Sequence, residues 1–175
     1  MDLKALVRTI PNYPKEGIMF RDITTLLADA EGFKYIIQTL AKRYREQGVD
    51  HIVGIEARGF ILGAALAYEL GVGFVPIRKQ GKLPGEVIGE NYQLEYGTDR
   101  VEIHKDALSP NQQVILIDDL LATGGTALGG LKLVEAIGAR VLECAFVIDL
   151  PDLKGREKLE SAGHKIFTMI EFDGD

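Results

Sequence analysis

Hydrophobic and polar positions follow two rhythms along this chain, one typical of buried strands and the other of amphipathic helices. Short runs rich in β-branched residues predict strands at 51–56, 73–79, 114–118, 140–150 and 165–172. Apolar residues three and four apart predict helices at 2–10, 32–47, 60–71, 126–138 and 152–163, and residues 12–22 are predicted to form a loop. Because strands and helices alternate, we expect an α/β fold with a central, mostly parallel sheet flanked by helices.

One segment departs from this alternation. Residues 81–105 alternate apolar and polar positions around the turns GEN and YGTD, which predicts an inserted β-hairpin with one solvated face and the composition of a lid. Pro76 suggests that the preceding strand lies at an edge or ends early, because proline cannot donate to a sheet ladder. The length of 175 residues suits one sizeable core, so we expect a single domain over 1–175.

Charge and composition exclude several classes of protein. The chain has 26 acidic and 20 basic residues, a formal net charge of −6, so nucleic acid and anionic membranes are disfavoured partners. The longest apolar stretch, residues 60–71, is interrupted by Glu69 and is too short to span a bilayer, and MDLKALVRTI is too charged for a signal peptide. The single cysteine, Cys144, lies in an apolar run and fits a reducing compartment. We expect a cytoplasmic protein.

Polar clusters follow three of the predicted strands. They occupy residues 56–59, 78–82 and 118–126. In open parallel sheets, ligands bind beyond the carboxyl ends of the strands. These clusters are therefore predicted to converge on one site, which supplies the local basic groups that an anionic substrate would need.

The third cluster combines two acids with a loop of small residues. Glycines and threonines at a strand-to-helix turn present backbone N–H groups and hydroxyls to a phosphate: Ala122, Thr123, Gly124, Gly125 and Thr126. Asp118 and Asp119 would repel a bare phosphate, but carboxylates accept hydrogen bonds from a sugar diol. The turn is neither a Walker A motif nor GxGxxG. The alternative is a simple turn with helix-capping acids.

The stretch VILIDDLLATGGT resembles the phosphoribosyl-pyrophosphate (PRPP) motif of type I phosphoribosyltransferases. Six further stretches, in the same order and over almost the whole chain, resemble the adenine phosphoribosyltransferases of that family: 17–24, 54–63, 77–85, 94–97, 104–108 and 153–159. The resemblance implies the single-domain fold of that family with a hood hairpin. It also implies a pentosyltransferase of purine salvage that converts adenine and PRPP to AMP and pyrophosphate, with Mg²⁺, as a cytoplasmic homodimer.

The resemblance also assigns roles to residues. It implies that Asp118, Asp119 and the 122–126 loop hold the ribose and its 5′-phosphate, and that residues 1–31 contribute to the base site. Pyrophosphate would contact Glu56, Ala57, Arg58, Gly59, Arg78, Lys79 and Lys82. Adenine would contact Met19, Phe20, Arg21 and Leu120. Arg58 and Glu95 would be the catalytic residues, with Glu95 managing the adenine proton.

Alternatives remain for the individual residues and for the function. The basic run can be a solvated surface loop, Phe20 a core aromatic and Glu95 a surface acid of the hairpin. Mg²⁺ would ride on PRPP and water, with Asp118 or Asp119 as candidate contacts, rather than in a protein cage. The competing functions are a phosphoribosyltransferase for 6-oxopurines and a non-catalytic PRPP- or nucleotide-sensing regulator. A purine-repressor type of regulator would add a basic DNA-binding segment, which this sequence does not show.

Overall fold

Strands and helices alternate along most of the chain, as the hydrophobic pattern predicts. A computed structural model describes residues 1–94 and 96–174. The strands are β1 Arg8–Pro11, β2 Met19–Asp22, β3 His51–Ile55, β4 Gly73–Lys79, β5 Val87–Gln93, β6 Thr98–His104, β7 Gln113–Leu121, β8 Arg140–Asp149 and β9 Ile166–Glu171. The helices are α1 Thr24–Ala28, α2 Ala30–Tyr44, α3 Arg58–Leu70, α4 Gly125–Ile137 and α5 Gly155–Ser161, with 3₁₀ turns at Lys4–Leu6 and Pro151–Leu153.

Seven strands form one sheet in the order β5-β6-β4-β3-β7-β8-β9. The five strands from β4 to β9 in that order pair in parallel, and the β5–β6 hairpin pairs antiparallel at the edge. The central strand β7 is apolar on both faces, because side chains of successive strand residues point to opposite sides. This arrangement confirms the predicted α/β fold with a mostly parallel sheet.

Two hydrophobic clusters cover the two faces of the sheet. Ile115 and Ile117 of β7 belong to a cluster with α2 and α3, whereas Val114 and Leu116 belong to one with α4 and α5. All four β7 residues are almost fully buried. Helices therefore lie on both faces, and the carboxyl ends of the parallel strands all point to the same end of the sheet. In the part of the chain that the structure describes, no helix is long and apolar enough to cross a bilayer.

The N-terminal region differs from the prediction. Residues 2–10 were expected to form a helix, but only a 3₁₀ turn is present, followed by β1, which pairs antiparallel with β2. The second part of the predicted 12–22 loop is therefore a strand. The helical spacing reflects burial of Leu3 and Val7 against the core, while the β-branched pair Thr9 and Ile10 and the partner strand favour extended backbone.

Two boundaries near the strand ends also move. β7 was predicted to end at Asp118 but continues through Asp119 to Leu121, so both acids lie within the strand. The hairpin is not a detached excursion, because β6 pairs with β4 at Arg78 and Lys79. β4 lies between β3 and β6, so Pro76 is in an interior strand and not in an edge strand. The pairing with β6 covers only Arg78 and Lys79, so Pro76 has a partner on β3 but none on β6.

Candidate active site

The three polar clusters meet at the end of the sheet where the parallel strands terminate. β4, β3 and β7 are adjacent and parallel, so their carboxyl ends bring together Arg78, Glu56 and Asp118 with their neighbours. Side-chain contacts join the clusters directly. The Arg58 guanidinium donates to the Asp119 carboxylate, and the Arg78 Nε donates to Glu56 Oε1 at 3.2 Å.

The loop after β7 is shaped to receive an anion. Gly124 adopts a left-handed conformation, with φ of 86°, and α4 begins at the next residue. Within the described residues, no side chain caps the first N–H groups of α4, which therefore stay available to a ligand. Residues 120–127, Asp118 and Phe146 line a pocket of ≈ 100 Å³ at this point. Open amides at a helix N-terminus beside two threonine hydroxyls suit a phosphate.

The two acids have different surroundings. Asp119 is buried and ion-paired with Arg58. Asp118 accepts the Asp119 backbone N–H at 2.8 Å. Burial, and then the neighbouring charge of Asp119, raises the pKa of Asp118 well above its ordinary value. The pair therefore presents one carboxylate that is neutralised by an arginine and one that binds its proton unusually tightly.

Close approach of α3 to β7 places Arg58 beside these acids. A Cβ at Gly59 would lie 2.9 Å from the Ile117 carbonyl oxygen and 3.0 Å from Asp118 Oδ1, so no side chain fits there. The preceding peptide, Glu56–Ala57, is cis. Burial lowers the pKa of Arg58, but the hydrogen bond and charge of Asp119 outweigh it and hold that pKa above the usual range. Arg58 thus stays charged at the edge of the sheet.

Glu56 organises the second group of cations. Its carboxylate accepts the Lys79 backbone N–H at 2.8 Å and the Lys82 Nζ at 2.7 Å, in addition to Arg78. Burial opposes ionisation, but these hydrogen bonds and charges together hold the pKa of Glu56 below its ordinary value. The structure thus brings Arg78 and Lys82 together around Glu56.

The Lys79 side chain turns toward the hairpin instead. Its Nζ donates to Asp99 Oδ2 at 2.7 Å and also contacts the Tyr92 hydroxyl. Tyr92 and Asp99 are paired across β5 and β6, which fixes them on either side of the lysine. Of the three basic residues predicted from the RKQGK run, Lys79 is thus the one tied to the hairpin, close to its turn.

The residues predicted to contact adenine lie mainly on β2. Met19 is exposed, and Phe20 packs edge-on against Tyr13 with ring centroids 5.2 Å apart. The Arg21 side chain is committed elsewhere: it donates to Thr9 Oγ1 at 2.8 Å and lies over the Phe172 ring. Leu120, the fourth predicted residue, is half-buried on β7 directly after the acids.

The end of β2 carries a buried acid, Asp22, whose charge adds to the raised pKa of Arg58. The Thr24 hydroxyl donates to Asp22 at 2.7 Å and is the largest cause that lowers the pKa of Asp22 to about 2. Asp22 therefore stays ionised at neutral pH, and its carboxylate also accepts from the Arg8 Nε at 3.0 Å across the β1–β2 pair.

The hairpin packs against two glycines of α4, next to residues 122–126, which we call the anion loop. A Cβ at Gly125 would lie 3.4 Å from the Gln93 carbonyl oxygen, and one at Gly129 would lie 3.1 Å from Val101. The two glycines let β5 and β6 lie close on the helix. Glu95, predicted as a catalytic residue, lies outside the described residues.

Several contacts could not be foreseen from the motifs. Tyr92 and Asp99 fix Lys79, and their alternation in the hairpin is a signal that could have placed them opposite each other. Gly155 packs behind the anion loop, against Ala122 and Gly124. It lies in the stretch LKGREKL, which carried a resemblance without a role.

Comparison with known proteins identifies the family. The model of the phosphoribosyl transferase domain matches residues 23–172. The chain is 61% identical to an adenine phosphoribosyltransferase of Methylobacillus flagellatus over 99% of this chain and 98% of the relative. The chain belongs to the phosphoribosyltransferase family.

Solved structures agree with this assignment. The crystal structure of adenine phosphoribosyltransferase from Thermoanaerobacter pseudethanolicus matches with a TM-score of 0.93 and 51% identity, over 98% of each chain. The Saccharomyces cerevisiae enzyme, complexed with an imino-altritol bisphosphate and adenine, matches with a TM-score of 0.90 and 43% identity over 97% of each chain. The predicted phosphoribosyltransferase fold, with its hood hairpin at the sheet edge, is confirmed.

Asp119→Asn should lower the pKa of Asp118 toward its ordinary value. The substitution removes a neighbouring negative charge and leaves the positive charge of Arg58 unpaired nearby, and both changes favour the ionised carboxylate. Burial remains, so the shift should be partial. The measurement is a carboxyl carbon NMR titration of Asp118. The matched control is Asp50→Asn, because Asp50 accepts from the Gln113 N–H at the opposite end of β7. An unchanged or higher Asp118 pKa would contradict the electrostatic account.

Proposed function

We propose that this phosphoribosyltransferase transfers the 5-phosphoribosyl group of PRPP to adenine, giving AMP and pyrophosphate. The observation that carries the proposal is the arrangement at the end of β7, where two carboxylates adjoin a loop with open amides and Arg58 is fixed beside them. Relatives of 55% to 61% identity over the whole chain are named adenine phosphoribosyltransferase. The reaction is that of a pentosyltransferase in purine salvage.

The sugar phosphate is held at the 122–126 loop. Its 5′-phosphate accepts from the first N–H groups of α4 and from Thr123 and Thr126, where the helix dipole is positive. The ribose hydroxyls donate to Asp118 and Asp119, which lie immediately before the loop. Because these groups stand on a strand end and a helix start, they fix the position of C1′ before the reaction.

Pyrophosphate departs toward the cations. Arg58, Arg78 and Lys82 stand at the ends of β3 and β4 and stabilise the negative charge that develops on the leaving group. The 56–59 turn offers its backbone beside them, and Lys79 adds charge from the hairpin side. In the described chain each of these side chains forms an ion pair with a carboxylate. The substrate phosphates replace that carboxylate as its partner.

The base lies over β2. Phe20 stacks on adenine, the backbone of Met19 and Arg21 bonds its edge, and Leu120 packs on the other side, so residues 1–31 complete the base site. As N9 bonds to C1′, the N9 proton leaves through Glu95. One observation supports this placement. The Arg21 side chain is already engaged by Thr9 and Phe172, which leaves its backbone for recognition.

Magnesium fits as a substrate-borne ion. Among the described residues, no group of three or more histidine, cysteine, aspartate or glutamate side chains converges as a metal cage. Asp118 and Asp119 provide two carboxylates beside a phosphate-sized pocket, which suits an ion that keeps most of its ligands from the substrate and water. When bound, Mg²⁺ would neutralise charge on PRPP. The cytoplasmic location fits Cys144, a free, buried thiol.

A homodimer would place a second copy against α3. The outer face of this helix exposes Ile61, Ala64 and Tyr68 at helical spacing. The helix begins at Arg58, so this exposed strip starts one turn after that arginine. Tyr68 is 89% exposed and Ile61 is 46% exposed, and together with Ala64 they form a contiguous apolar strip, the kind of surface that marks interaction sites. A partner seated there would lie next to the cations that bind pyrophosphate.

The assay that tests the function is formation of AMP from adenine and PRPP with Mg²⁺. Turnover should require all three, and adenine should exceed hypoxanthine and guanine by about a hundredfold or more when the bases compete, since a polar base edge is strongly discriminated. Preference for a 6-oxopurine would move the chain to the other branch of the family. PRPP binding by a folded chain without turnover on any base would favour a sensing regulator.

Asp118→Asn with Asp119→Asn should reduce kcat/KM for PRPP by about a hundredfold or more, because hydrogen bonds to charged groups contribute about 1.5–3 kcal/mol each. Steady-state kinetics with varied PRPP measures the effect. The control is Asp2→Asn with Asp106→Asn, which makes the same charge change at two exposed positions. If the double variant of the acid pair kept wild-type affinity and turnover, the assignment of the ribose site would be wrong.

Sedimentation equilibrium tests the dimer. The wild-type chain should show twice its 19.2 kDa, and Tyr68→Glu should shift it toward one copy, because a charge would be buried in an apolar contact. Tyr35→Glu is the matched control, since Tyr35 is an exposed tyrosine on α2. A monomeric wild type, or a Tyr68→Glu variant that stays dimeric, would contradict this interface.

A further inference from the structure

The anion loop rests on the start of α5. After β8, the chain makes the 3₁₀ turn Pro151–Leu153, and Lys154 takes a left-handed conformation with φ of 62°. This turn delivers Gly155, the first residue of α5, to the side of residues 122–124. The loop therefore has a rigid neighbour behind it as well as the hairpin tip on the other side.

Gly155 and the loop are in contact too close for any side chain. A Cβ at Gly155 would fall well inside the 3.0 Å that real Cβ atoms keep from the Ala122 carbonyl oxygen, and it would lie 3.1 Å from the Gly124 nitrogen. The contact is reciprocal, because a Cβ at Gly124 would lie 3.1 Å from the Gly155 carbonyl oxygen. Two glycine backbones thus interlock at the base of the loop.

We propose that Gly155 is a positioning residue for the phosphate site: its lack of a side chain sets where the amides of the 122–126 loop stand. The inference rests on the proposed function, in which this loop holds the 5′-phosphate. Gly155 itself touches the loop from behind rather than the substrate. Its effect on the reaction passes through the backbone of Ala122 and Gly124.

An added side chain would displace the loop rather than α5. The segment before α5 is tied to the end of β7, because the Leu150 N–H donates to the Leu121 carbonyl at 3.0 Å, and Leu159 of α5 is fully buried. Arg156 fastens the helix to β9, donating to Thr168 Oγ1 at 2.7 Å and to the Ile166 carbonyl at 3.3 Å.

The turn before α5 is held as well. The Gly174 N–H donates to Asp152 Oδ2 at 2.7 Å, and the Lys154 N–H donates to the Pro151 carbonyl at 3.0 Å. By contrast, the loop between Leu121 and α4 is short and has open amides. The loop is therefore the side that yields, and a shift of its amides away from α5 misplaces the donors of the phosphate.

The test is Gly155→Ala, with binding of two ligands measured by calorimetry in the presence of Mg²⁺. AMP reaches the 122–126 loop, whereas inorganic pyrophosphate contacts only the cations near Glu56. We expect the Kd of AMP to rise about tenfold to a hundredfold, as for a donor misplaced by about 1 Å, and the Kd of pyrophosphate to stay within about twofold. KM for PRPP should rise more than kcat falls.

Gly73→Ala is the matched control. A Cβ there would lie 3.0 Å from the His51 ring, so it also introduces a close contact, but at the opposite edge of the sheet. This variant should lose stability without changing AMP affinity. Should Gly155→Ala fail to fold, Gly155→Ala with Leu121→Val takes its place, since valine removes the Leu121 Cδ1 that would meet the new Cβ at 2.8 Å and leaves the backbone contacts.

The outcomes separate the inference from the function beneath it. Equal weakening of AMP and pyrophosphate, or unchanged AMP affinity in a folded Gly155 variant, would overturn the positioning role while wild-type turnover leaves the proposed function intact. Absence of wild-type turnover would overturn the proposed function itself. Selective loss of AMP affinity in the Gly155 variant, with the Gly73 variant unaffected, supports the inference.

Discussion

The close contact between the first turn of α3 and the end of β7 is the constraint on which the rest of the site depends. Gly59 allows the helix to approach the Ile117 carbonyl at a distance that no side chain tolerates. Arg58 consequently stands beside Asp119, whose burial would otherwise be unfavourable without a compensating charge. Beside this pair, burial and then the charge of Asp119 raise the pKa of Asp118. A larger residue at position 59 would separate the acidic half of the site from the basic half.

The sequence predicts the sheet well because its information is local there. Apolar β-branched runs mark β3, β4, β7, β8 and β9, and burial on both faces requires nothing beyond the run itself. The N-terminal residues show the limit. Leu3, Leu6 and Val7 have helical spacing, yet β1 forms because β2 supplies strand partners eight to fourteen residues away along the chain. A non-local partner of this kind leaves no periodic signal.

The same distinction applies within the site. The small-residue loop lies at a strand-to-helix turn, as its composition predicts, whereas the strand extends further than predicted and contains both acids. The pairing of the charges was not predicted, since it depends on which strands are neighbours: the β3–β4 register sets Ile55 against Ile77, and this brings Glu56 beside Arg78. The contact of Gly155 was not predicted for a related reason, because Gly155 lies about 30 residues along the chain from the loop that it contacts.

The ion pairs explain how an acidic chain keeps a cationic site in order. Free lysine and arginine side chains each lose about 2 kcal/mol of rotamer entropy when a ligand fixes them. Here Arg58, Arg78 and Lys82 are already held by Asp119 and Glu56, which stand at the ends of β7 and β3. The three cations remain one third to one half exposed, so phosphate oxygens can reach them. Since Asp119 lies in β7 and Glu56 directly follows β3, the sheet itself fixes the geometry of the cations.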